Sequence, residues 1–361
     1  MNFIQRIDLN ILYLLAFGIA LFITMMVTPI SKKIAVKFGA IDHPKERGVH
    51  DTPTPLAGGS AIVFSFVVTA IVLIPLMEGY ISKEFFGIII AGVLITTVGF
   101  LDDVYQLSPR IRIFFQILAA LIVVFTGTTI EWLSWPWAES GLISLHTLGN
   151  FMTVFWIVGL TNALNFIDGL DGLAAGIASI AAISFMVISF MFGPPVSVMM
   201  AAILAGACLG FLPHNFSPAT IFMGDTGSTF LGFMLAVMSI QGLTKSYTVI
   251  TLLVGGIVLG LPIFDTSFAI LRRVANKQSI AQADRGHLHH RLVDKGISHK
   301  QAVLTMYAVA GAFGIAGVLF ALKDFILATI IIVVILVVWI VDIMLTHRRD
   351  KKKTEETSEK E

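Results

Sequence analysis

The sequence predicts an all-α, polytopic integral membrane protein with about 11 transmembrane helices. Of its 361 residues, 56% are hydrophobic and 13% are charged, a balance outside the range of ordinary soluble domains. Apolar runs recur along the whole chain at close to the length that crosses a bilayer, about 20 residues. Because lipid offers the backbone no hydrogen-bond partners, these runs are expected to be helices. The runs lie at 10–30, 57–77, 86–101, 111–128, 149–164, 173–192, 196–212, 227–243, 248–270, 302–321 and 324–345.

The basic residues indicate how these helices are oriented. If the amino terminus faces outward, nearly all of the 24 Lys and Arg residues fall on the opposite side of the membrane. The exceptions are Arg6, Lys83, Lys245 and Lys323. Since short loops rich in Lys and Arg stay in the cytoplasm, we predict an amino terminus outside and a carboxyl terminus in the cytoplasm. The first run is followed by basic residues rather than a small-residue cleavage site, so it is expected to be a retained span.

Residues 1–346 are expected to form a single transmembrane domain, and residues 347–361 a charged cytoplasmic tail. The tail has no apolar residues and is predicted to be disordered. The lone cysteine, Cys208, lies inside an apolar run and is predicted to be a small core residue. On this topology five loops face the cytoplasm, at 31–56, 102–110, 165–172, 213–226 and 272–300.

These five loops carry polar, glycine-containing segments, and the loops on the other face show nothing comparable. An ion-coupled transporter would place its ionisable groups near the bilayer midplane on broken helices. A structural scaffold would leave five such loops without a purpose. The placement therefore favours an enzyme that works at the cytoplasmic membrane surface, with a transporter as the distant alternative.

Two pairs of aspartates are candidate catalytic residues. Asp102 and Asp103 follow an apolar run directly, where a helix ends and both side chains can turn toward one site. A negative pair is not favoured there by the helix dipole, which argues against a purely structural role. Asp168 and Asp171 have the spacing that puts them on one face of a helix predicted to open near residue 168. Glycines around them would let the backbone approach a ligand closely.

The segment "FMGDTGS" places Asp225 in a glycine-rich turn before another apolar run. Free backbone N–H groups at a helix start suit a phosphate, and a carboxylate beside them suits the Mg²⁺ that accompanies phosphates. Acids, glycine turns and basic residues on one face together indicate a site for a diphosphate with Mg²⁺. Its position at the lipid boundary predicts one water-soluble and one lipid substrate.

The last cytoplasmic loop contains "HLHH", which comprises His287, His289 and His290. Zinc is an alternative for these histidines, but three neighbouring imidazoles without a cysteine do not fix a tetrahedron well. The basic residues beside them favour contact with a polyanion. The intramembrane acids Asp265 and Asp342 receive no role from the sequence; for Asp265, an ion pair near the interface and a catalytic role are equally open.

Five ordered motifs resemble those of the polyprenyl-phosphate N-acetylhexosamine-1-phosphate transferase family. They are "DHPKERGVHDTPTPLAGG", "GFLDDVYQLSPRIR", "NALNFIDGLDGLAAG", "NFSPATIFMGDTGSTFLG" and "RGHLHHRL". The resemblance implies transfer of a sugar 1-phosphate from a UDP-sugar to undecaprenyl phosphate with release of UMP. It also implies a protein of the bacterial cytoplasmic membrane whose active site faces the cytoplasm. No nucleic acid is expected as a partner.

Details of the motifs resemble one branch of that family more than the others. The histidines are interrupted by Leu288, as in the branch that uses UDP-GlcNAc, whereas peptidoglycan translocases have three in a row. The first loop resembles that of Gram-positive enzymes that begin teichoic acid synthesis, which implies downstream cell-wall glycosyltransferases as partners. Gln106 and Leu107 stand where the translocases carry a lysine. UDP-MurNAc-pentapeptide and UDP-GalNAc remain alternative donors, and a homodimer is left open.

The resemblance also implies roles for individual residues. Asp225 would bind Mg²⁺, which Mn²⁺ can replace, with Asn165 as a second ligand. Asp168 and Asp171 would lie against the nucleotide, and Phe222 would stack on uracil. Asp102 and Asp103 would face the reacting phosphates, and the three histidines would hold the sugar and the pyrophosphate. The remaining predicted substrate-binding residues are Asn162, Lys45, Arg47, His50, Arg110 and Arg112.

Overall fold

The computed structural model describes residues 8–43, 53–134, 142–241, 251–275, 277 and 287–358. These residues are almost entirely helical, with two short antiparallel strand pairs. The helices are α1 (Leu9–Phe38), α2 (Gly59–Glu78), α3 (Lys83–Tyr105), α4 (Pro109–Phe125), α5 (His146–Ile167), α6 (Leu173–Phe192), α7 (Pro195–Asn215), α8 (Gly224–Gln241), α9 (Thr251–Val258), α10 (Gly260–Ala275), α11 (Leu288–Asp294), α12 (His299–Ala321) and α13 (Phe325–Ser358). The strands are β1 (Ile41–Asp42), β2 (Thr54–Pro55), β3 (Trp132–Ser134) and β4 (Leu142–Ser144), paired β1 with β2 and β3 with β4.

Each apolar run of the sequence contains helix, and the protein is a polytopic membrane protein. Seven described helices are long and apolar enough to cross a bilayer: α1, α2, α3, α5, α6, α7 and α12. The pair α9 and α10 forms an eighth apolar unit that is bent by 83°. The total of about 11 spans and the orientation of the termini stay predictions.

Helices α7 and α8 form the centre of the bundle. Every residue of α8 from Thr226 to Ile240 is buried, and α8 packs against α3 and α5. A helix that is hydrophobic on every face is buried in a protein core or spans a membrane, and here the neighbouring helices enclose α8. The outer helices expose large apolar side chains such as Leu14, Phe125 and Phe155, as a surface in contact with lipid requires.

Glycines allow three helices to meet at the start of α8. A Cβ on Gly59 of α2 would overlap the backbone of Gly227. A Cβ on Gly99 of α3 would lie 2.6 Å from the backbone carbonyl oxygen of Asp225. Small residues commonly bring membrane helices into such backbone contact. The ends of α2 and α3 are thus fixed against the first turn of α8.

The carboxyl-terminal segment differs from the sequence prediction. Helix α13 continues to Ser358, so the backbone of residues 347–358 is helical where a disordered tail is predicted. Lys, Arg and Glu are good helix formers, and a helix already begun in the apolar part can extend through them without a new nucleation step.

Candidate active site

One cavity of about 600 Å³ gathers the acidic turns of the chain. It lies where α3, α5 and α7 end and α8 begins. Six carboxylates line it, together with one arginine, two asparagines and one phenylalanine: Asp42, Asp102, Asp103, Asp168, Asp171, Asp225, Arg112, Asn165, Asn215 and Phe222. Segments far apart in the chain therefore meet at one polar site, and they include four of the five predicted cytoplasmic loops. Asp42 belongs to the α1–α2 connection, from which Leu56 also borders the cavity.

Asp102, in the last turn of α3, is tied to the cavity by Arg112. One guanidinium nitrogen, Nη1 of Arg112, donates to Oδ2 of Asp102 and to Oδ2 of Asp225, each at 2.9 Å. The other oxygen of Asp102 accepts from the backbone N–H of Leu107 at 2.6 Å. Both oxygens of Asp102 are engaged, and only 8% of its side chain is exposed.

Asp103 points instead to the start of α8. Its carboxylate accepts hydrogen bonds from the backbone N–H of Asp225 at 2.8 Å and of Thr226 at 3.1 Å, and from the Thr226 hydroxyl. These N–H groups belong to the first turn of a helix, where they have no partner within the helix and where the dipole favours a negative group. Asp103 therefore acts as an acceptor that fixes the position of Asp225.

Asn165, near the end of α5, completes the surroundings of Asp225. Its Nδ2 donates to Oδ1 of Asp225 and to the hydroxyl of Ser228, each at 2.9 Å. Among the described residues, none donates a hydrogen bond to Oδ1 of Asn165. That oxygen lies on a residue that lines the cavity, so it is available to a ligand there.

The turn between α5 and α6 carries Asp168 and Asp171, and here the helix prediction is wrong. Residues 168–172 form a turn rather than the first turn of a helix, and α6 begins only at Leu173. Asp168 directly follows the last residue of α5 and is not helical, and Gly172 adopts a φ of 79°. A left-handed glycine ends helical geometry, so Gly172 outweighs the helical spacing of the acids.

This turn is held from two sides. Oδ2 of Asp171 accepts from the backbone N–H of Ala219 at 3.0 Å, and Gly172 N–H donates to Oδ1 of Asn215 at 3.1 Å. The hydroxyl of Tyr307 in α12 donates to the carbonyl oxygen of Gly172. Sequence analysis assigned no role to Asn215 or Tyr307, although Asn215 is the first residue of the quoted motif that contains Asp225.

Asp168 has the most unfavourable surroundings for a negative charge. None of the described residues donates a hydrogen bond to its side chain. Burial, followed by repulsion from Asp225, Asp103 and Asp171, raises the pKa of Asp168 to about 8. A cation in the cavity would relieve this repulsion.

The oxygen-rich lining fits a hard divalent cation. Mg²⁺ is usually held by one or two carboxylates and by substrate phosphates rather than by a complete protein cage. The described residues contain no group of three acidic, histidine or cysteine side chains set for a metal. Asp225 and Oδ1 of Asn165 adjoin each other in this cavity and are candidate oxygens for sharing such an ion with a substrate.

Several predicted site residues lie away from the cavity. Nδ2 of Asn162 donates to Oε1 of Gln116 at 2.6 Å, and Arg110 is exposed. His287, His289 and His290 do not line the cavity. Lys45, Arg47 and His50 lie outside the described residues, so their predicted contacts stay predictions.

The helix contact at Gly99 gives a first testable expectation. Gly99→Ala should lower activity about tenfold or more, because the added methyl group pushes the first turn of α8, and with it Asp225, away from α3. Gly18→Ala is the matched control, since a Cβ on Gly18 meets no atom within 4 Å. Turnover and thermal unfolding of both variants check this, and equal activity of the two would contradict it.

Comparison with known proteins shows the family of the chain. The family model described as glycosyl transferase family 4 matches residues 85–243. The chain is 39% identical over 304 residues to the probable undecaprenyl-phosphate N-acetylglucosaminyl 1-phosphate transferase of Bacillus subtilis, covering 84% of this chain and 83% of that protein. It is 37% identical to the decaprenyl-phosphate N-acetylglucosaminephosphotransferase of Mycolicibacterium smegmatis, covering 83% and 80%.

A more distant relative is the phospho-N-acetylmuramoyl-pentapeptide-transferase of Rickettsia bellii, with 29% identity over 73% of this chain and 78% of that protein. The fold and the cavity define a polytopic membrane protein with an acidic site formed by the ends of its helices. The chain belongs to glycosyl transferase family 4.

Proposed function

We propose that the protein transfers GlcNAc-1-phosphate from UDP-GlcNAc to undecaprenyl phosphate, giving undecaprenyl-diphospho-GlcNAc and UMP. The observation that carries the proposal is the convergence of six aspartates on one cavity, in a chain 39% identical to a relative named for this reaction. The reaction would be the first membrane step of teichoic acid or related cell-wall polysaccharide synthesis. UDP-MurNAc-pentapeptide and UDP-GalNAc are the alternative donors.

The site is proposed to face the cytoplasm of a bacterium. The charge distribution of the loops supports this orientation, and it would give the site access to a soluble nucleotide sugar. The lipid product would then pass to downstream cell-wall glycosyltransferases in the same membrane.

Mg²⁺ is the proposed cofactor, held by Asp225 and Asn165. When bound, the ion would neutralise phosphate charge and orient the diphosphate. Arg112 lies between Asp102 and Asp225 and supplies a second positive charge at the same place. The backbone N–H groups of Asp225 and Thr226 at the start of α8 are already bound by Asp103, so phosphate recognition is proposed to depend on these side chains.

The chemical step is proposed to be direct attack by the lipid phosphate. An oxygen of undecaprenyl phosphate bonds to the phosphorus attached to the sugar, the anhydride bond to the uridine phosphate breaks, and UMP leaves with the electron pair. A phosphate monoester with a second pKa near about 6 is mostly dianionic at neutral pH, so little proton removal is needed. Positioning and charge neutralisation then account for the catalysis.

The hydrogen bonds argue against Asp102 or Asp103 as a covalent nucleophile. Both oxygens of Asp102 and both oxygens of Asp103 already accept hydrogen bonds from the protein. An attacking carboxylate would first have to give these up. Isolation of a sugar-phosphorylated enzyme that forms with UMP release in the absence of lipid would refute direct attack.

The decisive experiment uses detergent-purified protein with undecaprenyl phosphate and a panel of UDP-sugars, and measures UMP. We expect release with UDP-GlcNAc, loss of release on addition of a chelator, and recovery with Mg²⁺ or Mn²⁺. If UMP is released only with another UDP-sugar, that sugar is the donor instead of UDP-GlcNAc. Absence of release with every donor, together with uptake of a solute by proteoliposomes, would favour a transporter.

A further inference from the structure

Asp265 lies outside the cavity and forms hydrogen bonds with residues that do not line it either. It lies in α10, beyond the bend that separates α9 from α10, and is 3% exposed. Its Oδ2 lies 2.8 Å from Nδ1 of His287, and its Oδ1 accepts from the backbone N–H of Leu288 at 2.8 Å. Both oxygens therefore hold the start of α11.

His287 and His289 connect Asp265 to the α5–α6 turn through the packing of their rings. The ring of His287 lies parallel to that of His289, with an angle of 10° and 5.8 Å between centroids. His289 is 1% exposed and packs against Gly169, where a Cβ would overlap its Nε2. Gly169 adjoins Asp168 in the turn that lines the cavity.

His289 is held in this place by packing rather than by hydrogen bonds. Neither of its ring nitrogens has a hydrogen-bond partner among the residues that the structure describes. Burial, followed by the charge of His290, lowers the pKa of His289 to about 3, so the ring is neutral at physiological pH. A buried imidazole without a partner is unfavourable, and its place against Gly169 depends on neighbours that fix it.

We propose that Asp265 is a positioning residue: through His287 and His289 it presses on Gly169 and sets the turn that presents Asp168 and Asp171 to the cavity. Asp265 is not itself a catalytic residue, because it does not line the cavity and both of its oxygens are engaged by α11. The kinetic part of this inference rests on the proposed function. The structural part does not.

The kinetic test compares Asp265→Ala, Asp265→Asn, His287→Ala and the double variant Asp265→Ala/His287→Ala. Asp265→Ala should lower kcat/KM for the UDP-sugar about 100-fold, the usual effect of displaced active-site groups, and leave KM for undecaprenyl phosphate within about threefold. Asp265→Asn keeps an acceptor for Leu288 and should stay within about tenfold of wild type. The double variant should match the more impaired single variant, because both break one chain of contacts.

Multiplicative losses in the double variant, or wild-type kinetics of Asp265→Ala, would overturn the proposal. Asp324→Ala is the matched control: Asp324 is exposed, and its side chain accepts from the backbone N–H of Leu327 at the start of α13. Its kinetics should be unchanged. If Asp265→Ala does not fold, the activity of Asp265→Asn is compared with that of His287→Ala. The positioning role predicts a smaller loss in Asp265→Asn, whereas equal losses in both would show that the acid is purely structural.

Hydrogen exchange gives a readout that does not depend on turnover. In Asp265→Ala the peptide 164–173 should exchange at least about tenfold faster than in wild type, because the turn loses the ring that packs on it. In Asp324→Ala it should not change. If wild-type protein releases no UMP with any donor, the proposed function fails, and the exchange rates still decide the positioning role. Unchanged exchange in Asp265→Ala would refute it.

Discussion

Asp225→Ala is expected to lower UMP release by about a thousandfold or more, the scale seen when a charge-stabilising group is removed from an active site. Asp225 is the carboxylate that Arg112 and Asn165 both contact. Without it, the proposed cation loses its only carboxylate ligand on α8. Release of UMP at several Mg²⁺ concentrations measures the effect.

The fold should survive this change. After substitution, Arg112 keeps its bond to Asp102, and Asn165 keeps its bond to Ser228. Thermal unfolding in detergent should therefore stay within a few degrees of wild type. A normal response of Asp225→Ala to Mg²⁺ would show that the metal assignment is wrong.

Asp103→Ala is expected to give the second large effect, and by a different route. The variant leaves two backbone N–H groups and the Thr226 hydroxyl at the start of α8 without their acceptor. Unpaired buried donors cost about 1–3 kcal/mol each, so for three donors the free energy of unfolding should fall by roughly 3–9 kcal/mol. Activity should fall about 100-fold with it, because Asp225 loses its fixed position.

Thr226 provides the matched pair for this test. Thr226→Ser keeps the hydroxyl that donates to Asp103, whereas Thr226→Val removes it at similar volume. Thr226→Val should lower the free energy of unfolding by about 1 kcal/mol and Thr226→Ser by less. If Asp103→Ala loses activity but keeps wild-type stability, Asp103 acts on the reaction directly rather than through α8.

The sequence predicts the parts of this site that follow from apolar runs and helix ends. Asp102 and Asp103 stand where an apolar run stops, so a pair of acids that turns out of the helix end is predictable. The different partners of the two are not predictable, because Arg112 and the start of α8 reach them only through tertiary packing.

Other features were out of reach for physical reasons. The spacing of Asp168 and Asp171 favours a helix, but the segment that contains Gly169 and Gly172 is a turn. Hydrogen bonds with Asn215 and Tyr307, which lie on other helices, hold this turn in place. Asp265 looked unassignable because its partner His287 follows 22 residues later. The signal for it was present, since an acid inside an apolar helix is seldom without a partner.

The enclosure of α8 has a consequence for how the site meets its substrates. A helix surrounded on every side can open locally only when its neighbours separate, so its opening free energy should approach that of the whole protein. Asp225 stands on the first turn of this helix and thus on a part of the molecule that moves little. Little conformational entropy is then lost in ordering the central carboxylate when a substrate binds. Conformational changes on binding are expected in the turns around it.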